Sequence, residues 1–390
     1  MILSQNERVT KAAGIMEAFA ERTAIGTEEP GRRYLWTDAF AVCNFLSLYE
    51  RGGDERYLAL ARTLIDAVHR ELGAFRADDA RRGALSGLGG AAVRTYPTVG
   101  GLRIGKTLPE RAEDEAYDAQ KEWDRDGQYF HYLTKWMHAL DTMARVSGEV
   151  RYSRWAVELA KTAHRAFTYA LPDGTERMSW KMSTDLTRPL VSSMGQHDAL
   201  DAYVTYLQLS VTASGFGDDA GLKEELEAAA LMAEAMPLRT DDPLGMGGLL
   251  ADAARTAQLV AYNGLPLAGL LRALLEAAGE GIAVYTAGAA LRYPAQYRLA
   301  FRELGLGIGL HGLSLIDALN AGVLDNAVLA GQLDGLRAFA PLAEALETFW
   351  LREAHQNVPT WREHEDINAV MLATSLLPDR FLMINQEKKA

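Results

Sequence analysis

Arg56-Tyr57-Leu58-Ala59-Leu60-Ala61-Arg62-Thr63-Leu64-Ile65-Asp66-Ala67-Val68-His69-Arg70 is echoed ninety-five residues later by Arg151-Tyr152-Ser153-Arg154-Trp155-Ala156-Val157-Glu158-Leu159-Ala160-Lys161-Thr162-Ala163-His164-Arg165. In both, Arg-Tyr is followed at equal spacing by an alanine, a leucine and His-Arg, and the apolar positions recur with a helical period. Each copy follows a glycine-containing turn, Gly52-Gly53-Asp54 and Gly148-Glu149, and Asp54 is placed to cap its helix. The alternative is that two amphipathic helices converged on similar surface residues. A recurring unit of this kind marks an array of like helical hairpins.

The rest of the 390-residue chain has the same character. Helical periodicity predicts about a dozen helices in all, or six hairpins, between Asn6 and Leu376, and strand alternation is nearly absent. The helices alternate in kind. Glu55–Leu72 and Arg151–Ala170 carry charge along one side, whereas Thr37–Tyr49 and Ile308–Leu319 are apolar almost all round. A helix apolar on every side is buried on every side, so the alternation implies inner helices behind outer ones. With no linker evident, one all-α domain spanning 1–390 is expected.

Composition narrows the function. Forty Lys and Arg against 52 Asp and Glu give a net charge of −12, which excludes the basic stripe of a nucleic-acid binder and disfavours an anionic membrane surface. The single cysteine, Cys43, allows neither an internal disulfide nor a cysteine-based zinc site. The opening residues lack a basic, then apolar, leader pattern, and glycines and polar residues interrupt the longest apolar run, Leu304 to Leu319. A cytoplasmic protein is expected.

Glu122 to His138 is the stretch richest in chemistry. On a helix, Phe130, Leu133, Met137 and Leu140 share one face, Gln128, His131, Lys135 and His138 the opposite one, with Tyr129, Tyr132 and Trp136 between. Aromatic rings stack on sugar faces, although buried aromatics with satisfied histidines also make a core. Asp124 and Asp126 stand where this helix is expected to begin, flanked by Trp123 and Arg125, and each reads as a cap or as an acid–base group. Asp38, after Trp36, reads equally as cap or catalyst. His197 and Asp198 open another inner helix, with Asp201 one turn on, and His364-Glu365 opens the last. Asn368 stands where a zincin would need its second histidine, so no metal is expected there. Gly100 to Thr107 fits the bare phosphate-loop frame, but no buried strand precedes it and Pro109 follows. It is read as a loop over a site, with Arg103 and Lys106 facing anions, and no cofactor is expected.

The Tyr34-Leu35-Trp36-Thr37-Asp38 and Trp123-Asp124-Arg125-Asp126-Gly127 helix entries, with the inner–outer order, resemble the six-hairpin, or (α/α)6 toroid, superfamily. That superfamily includes many glycoside hydrolases and the sugar 2-epimerases. The resemblance implies a funnel at one end of the inner ring that binds a small sugar-like substrate. For a hydrolase, Asp126 and Asp38 are the expected acid and base, with His131 and His197 assisting. Trp36, Trp123, Tyr129 and Trp136 would form the sugar platform, and Arg103, Asp124, Lys135, Asp198, His364 and Glu365 would complete the binding set. A sugar epimerase working through His131, His197 and His364 is the rival enzyme. A toroid cyclase, or a helical scaffold without activity, is the further alternative.

Overall fold

In a computed structural model, which describes residues 3–27, 31–324 and 326–384, the chain is built of helices. Thirteen of those described have ten or more residues. In chain order they are α1 (Gln5–Arg22), α2 (Leu35–Gly52), α3 (Glu55–Leu72), α4 (Phe130–Ser147), α5 (Val150–Phe167), α6 (Asp198–Gly215) and α7 (Lys223–Glu234). They continue as α8 (Pro243–Asn263), α9 (Ala268–Ala287), α10 (Ala300–Leu319), α11 (Ala327–Arg337), α12 (Pro341–Trp350) and α13 (Glu365–Leu376). Each falls on a segment that the sequence period marks. The contacts gather in two compact units, residues 20–42 with 55–236, and residues 1–19 with 43–54 and 237–390.

The first unit holds α3 to α7 and the opening turns of α2. The sequence echo is a structural one: α3 and α5 keep their bounds under the same ninety-five-residue shift. All eight buried positions of α3, among them Tyr57, Ala61, Leu64 and Leu72, have buried counterparts in α5. The α2 segment is buried from Leu35 through Leu48, as an apolar-all-round helix requires.

Five short strands were not expected. Gln128–Tyr129 (β1) pairs antiparallel with Lys181–Met182 (β4), which pairs with Pro189–Val191 (β5). Thr168–Ala170 (β2) and Glu176–Met178 (β3) form a hairpin after α5. Gln128 therefore lies in a strand, and α4 starts only at Phe130. Segments of two or three residues are too short to show a period, but Met178, Trp180 and Met182 do alternate, and that signal was present in the sequence.

The second unit holds α8 to α13. The glycines that interrupt the apolar run in α10 have a packing role. A Cβ built on Gly309 would stand 2.4 Å from the Gly247 carbonyl oxygen, and one on Gly247 would stand 2.1 Å from that of Gly305. Backbone therefore meets backbone where α8 and α10 cross. By length and composition Ala300–Gly322 is long and apolar enough to span a membrane, but 67% of that stretch is buried in the protein. Nearby, the buried Glu347 accepts hydrogen bonds from Arg8 at 2.7 and 2.8 Å and from Ser375 at 2.7 Å, with His311 Nε2 at 2.7 Å.

Candidate active site

The first turns of α2, α4 and α6, with β4 and the residue before it, converge in the first unit. His131, in the first turn of α4, lies in a nest of rings. It stacks with Tyr129 (5.3 Å between centroids, 27°) and with Trp180 (5.9 Å, 10°). It meets Tyr132 edge-on at 4.9 Å and Trp36 at 6.0 Å. The Tyr34 and Tyr132 hydroxyls share a 2.6 Å hydrogen bond, so the outer rings are tied together. Burial, with Lys135 second, pushes the His131 imidazole down to about 3, so it is neutral at neutral pH.

Asp198 faces this nest, its Oδ1 3.9 Å from His131 Nδ1. That separation is too long for a hydrogen bond. Neither Asp198 Oδ2 nor His131 Nδ1 has a hydrogen-bond partner among the described residues, and nor has Trp36 Nε1. The carboxyl, the imidazole and the indole N–H thus keep hydrogen-bonding capacity that a sugar hydroxyl can use. The Asp198 carboxyl packs directly on Gly195: a Cβ there would stand 2.5 Å from Oδ2. Burial, with Asp201 second, pushes Asp198 up to about 7. Asp201, one turn further on the same face of α6, takes a 2.7 Å salt bridge from Lys135 and a short hydrogen bond from the Thr134 hydroxyl. Two neighbouring carboxyls thus stand in different settings, one pushed up by burial and by its neighbour, the other paired with an ammonium.

This differs from the carboxyl pair expected from sequence. Asp126 is fully buried, with Oδ2 bonded to Arg103 at 2.5 Å and Oδ1 accepting from the amides of Gly105 and Lys106 at 3.0 and 3.3 Å. It anchors the 100–107 segment and caps no helix, since α4 begins four residues later. Asp38 is buried as well. Its Oδ2 accepts from the Tyr34 amide at 3.1 Å, and Oδ1 lies 3.6 Å from Arg33. Arg103 is spent on Asp126 and on the carbonyls of Ala74 and Glu71, so it does not reach out to a substrate. The 100–107 segment is not a cover either: Leu102 and Ile104 are fully buried. Trp136 is no sugar platform, being fully buried and donating to His69 at 3.1 Å.

Trp36 and Tyr129 do border the nest. Trp123, exposed at the end of a short helix that also contains Asp124, leans on Trp180 at 5.6 Å. His197 occupies the N-cap position of α6 without capping through its side chain. His364 and Glu365 are exposed and belong to the other unit, where they open α13. Trp180 and Gly195 were missed, and Asp198 was read as a binding residue only. No group of three or more metal-binding side chains occurs among the described residues.

No model of a known protein family matches the chain, and no curated protein does. Solved structures do. The GH76A α-1,6-mannanase of a Salegentibacter species is 13% identical with a TM-score of 0.52, over 95% of this chain and 98% of that one. The GH76 α-mannanase of Bacteroides thetaiotaomicron is 8% identical at 0.53, over 96% and 97%. The chain has the six-hairpin, (α/α)6 toroid fold. An inactive variant of the Salegentibacter mannanase, bound to α-1,6-mannotetrose, has the same toroid fold at 13% identity and 0.53, over 96% and 99%. At such identities the likeness is one of fold, and the chemistry must be argued from this toroid's own residues.

Proposed function

We propose that this protein is a carbohydrate-active enzyme, a glycoside hydrolase in which Asp198 is the general acid. The observation that carries the reading is the Asp198 carboxyl, pushed up to about 7 beside the Lys135-paired Asp201 and facing open polar atoms within a nest of rings. Cleaving a glycosidic bond requires a proton delivered to the leaving oxygen by one carboxyl while another stays charged. Asp198 holds that proton near neutral pH. Asp201 is a positioning residue whose charge keeps it there. Tyr129, Trp180 and Trp36 offer ring faces and edges to a sugar, and the neutral His131 offers a hydrogen bond to a hydroxyl.

The epimerase reading is less favoured. Taking a proton from carbon near neutral pH calls for an imidazole that titrates there, and His131 sits far below. The mannanases above make α-1,6-mannooligosaccharides the first substrates to test, followed by other linkages and acidic oligosaccharides. Release of reducing ends, abolished in Asp198→Asn, is the expected result. Undiminished oligosaccharide turnover in that variant would remove Asp198 from the chemistry.

A further inference from the structure

We infer that Lys106 forms a subsite for an anionic group, so that the saccharide bound here is an acidic one. This deepens the proposed hydrolase reading and rests on it. The Lys106 ammonium is half-buried between two rings, 5.7 Å from the centroid of Tyr34 and 5.6 Å from that of Trp123. Among the described residues it forms no ion pair. Other buried or half-buried cations of this unit do: Arg103 with Asp126, Lys135 with Asp201, and Lys181 and Arg111 with Glu122. A charge withdrawn from water normally acquires a partner, and cation–π contact makes up only part of the loss. Arg32, bonded to the Gly105 carbonyl and the Thr107 hydroxyl, adds a second cation without a carboxylate among the described residues. Asp124 and Asp126 act on Lys106 electrostatically, as do Arg32 and Lys181 with the opposite sign. Asp124 is exposed and Asp126 is spent on Arg103.

Position ties this cation to the site. Trp123 is 52% exposed and leans on Trp180, which stacks on His131. On the other side Tyr34 is bonded to Tyr132, which meets His131 edge-on. Lys106 thus closes the outer end of the ring wall that leads to Asp198, where it would meet a saccharide unit next to the one being cleaved. The chemistry that answers it is a carboxylate, as in a uronic acid, or a phosphate ester.

The test compares oligouronides, their carboxyl-reduced neutral counterparts and phosphorylated oligosaccharides as substrates for the wild type, Lys106→Met and Lys106→Arg. The wild type is expected to favour one anionic class over its neutral counterpart by about tenfold or more in kcat/KM, mostly through KM, as a charge-assisted contact would. Which class is favoured separates carboxylate from phosphate. Lys106→Met should erase the preference for the anionic substrate over its neutral counterpart, and Lys106→Arg should restore most of it. Equal turnover of acidic and neutral substrates by wild type and Lys106→Met overturns the subsite and leaves the hydrolase reading standing. No turnover of any saccharide overturns both.

Discussion

Asp198→Asn is expected to cripple turnover of oligosaccharides and, at alkaline pH, to stabilise the protein. The carboxyl titrates near 3.8 in an unfolded chain and near 7 here. A raised folded-state value means the folded form binds this proton more tightly. The associated stability is complete below about pH 4 and is lost as the pH rises through about 7. The difference of about 3 pH units corresponds to about 4 kcal/mol. Asparagine has the shape of the protonated acid and cannot ionise, so the variant escapes this loss. An amide without a partner costs about 1–3 kcal/mol, but that cost does not vary with pH. The assay is the thermal midpoint of both proteins from pH 4 to pH 8. The variant should gain on the wild type by roughly 2–4 °C per kcal/mol for a block of this size, with the gain growing between about pH 4 and 7 and level above that. A midpoint difference that is flat across that range would refute the claim that Asp198 is held protonated.

Further expectations follow from the same contacts. Asp201→Asn removes the charge that, after burial, does most to raise Asp198, so the alkaline limb of the pH–rate profile should move to lower pH by about 1–2 units, the Coulomb effect of one charge a helical turn away; an unmoved limb would separate the two carboxyls. Asp126→Ala leaves Arg103 buried without its carboxylate and should cost about 3–5 kcal/mol of stability, with the shape of the pH–rate profile unchanged at temperatures where the variant is folded. Gly195→Ala drives a methyl group into the Asp198 carboxyl; it should cut kcat by at least an order of magnitude while the far-ultraviolet circular dichroism stays that of the wild type. In the other unit, burial alone would raise Glu347, but hydrogen bonds from His311 and Arg8 bring it below its ordinary 4.5. Its stabilisation is present above about pH 4.5 and is lost as the pH falls through the lowered value. Glu347→Gln should therefore lower the melting temperature at pH 7, with the deficit narrowing in acid.

The helices were legible because burial imposes a period. The shared bounds of α3 and α5 and the wholly buried α2 both follow from apolar spacing that can be read residue by residue. The short strands were barely legible, since two or three residues carry no period and only the alternation of Met178, Trp180 and Met182 hinted at them. The site was legible in part. His131 and the Tyr129–Trp36 rings stood out because aromatic and imidazole groups are rare on a solvated face. The choice among the aspartates did not. Asp38, Asp126 and Asp198 all lie near helix entries, and what distinguishes them is partners distant in sequence. Arg103 and two loop amides claim Asp126, and Arg33 with the Tyr34 amide holds Asp38, whereas Asp198 faces an imidazole that does not bond it. No spacing rule encodes that difference. The glycines of α10 were equally ambiguous, because a gap in an apolar pattern looks the same whether it breaks a helix or lets another one in.

The most direct test of the central claim compares Asp198→Asn with the wild type on two kinds of glycoside, natural oligosaccharides and aryl glycosides with a strongly acidic phenol as leaving group. A sugar leaving group needs the proton from Asp198, and a dinitrophenolate does not. The account predicts a loss of about 10²-fold or more on the oligosaccharide and little loss on the aryl glycoside. An equal loss on both substrates, or none on either, would contradict the assignment of Asp198 as the general acid.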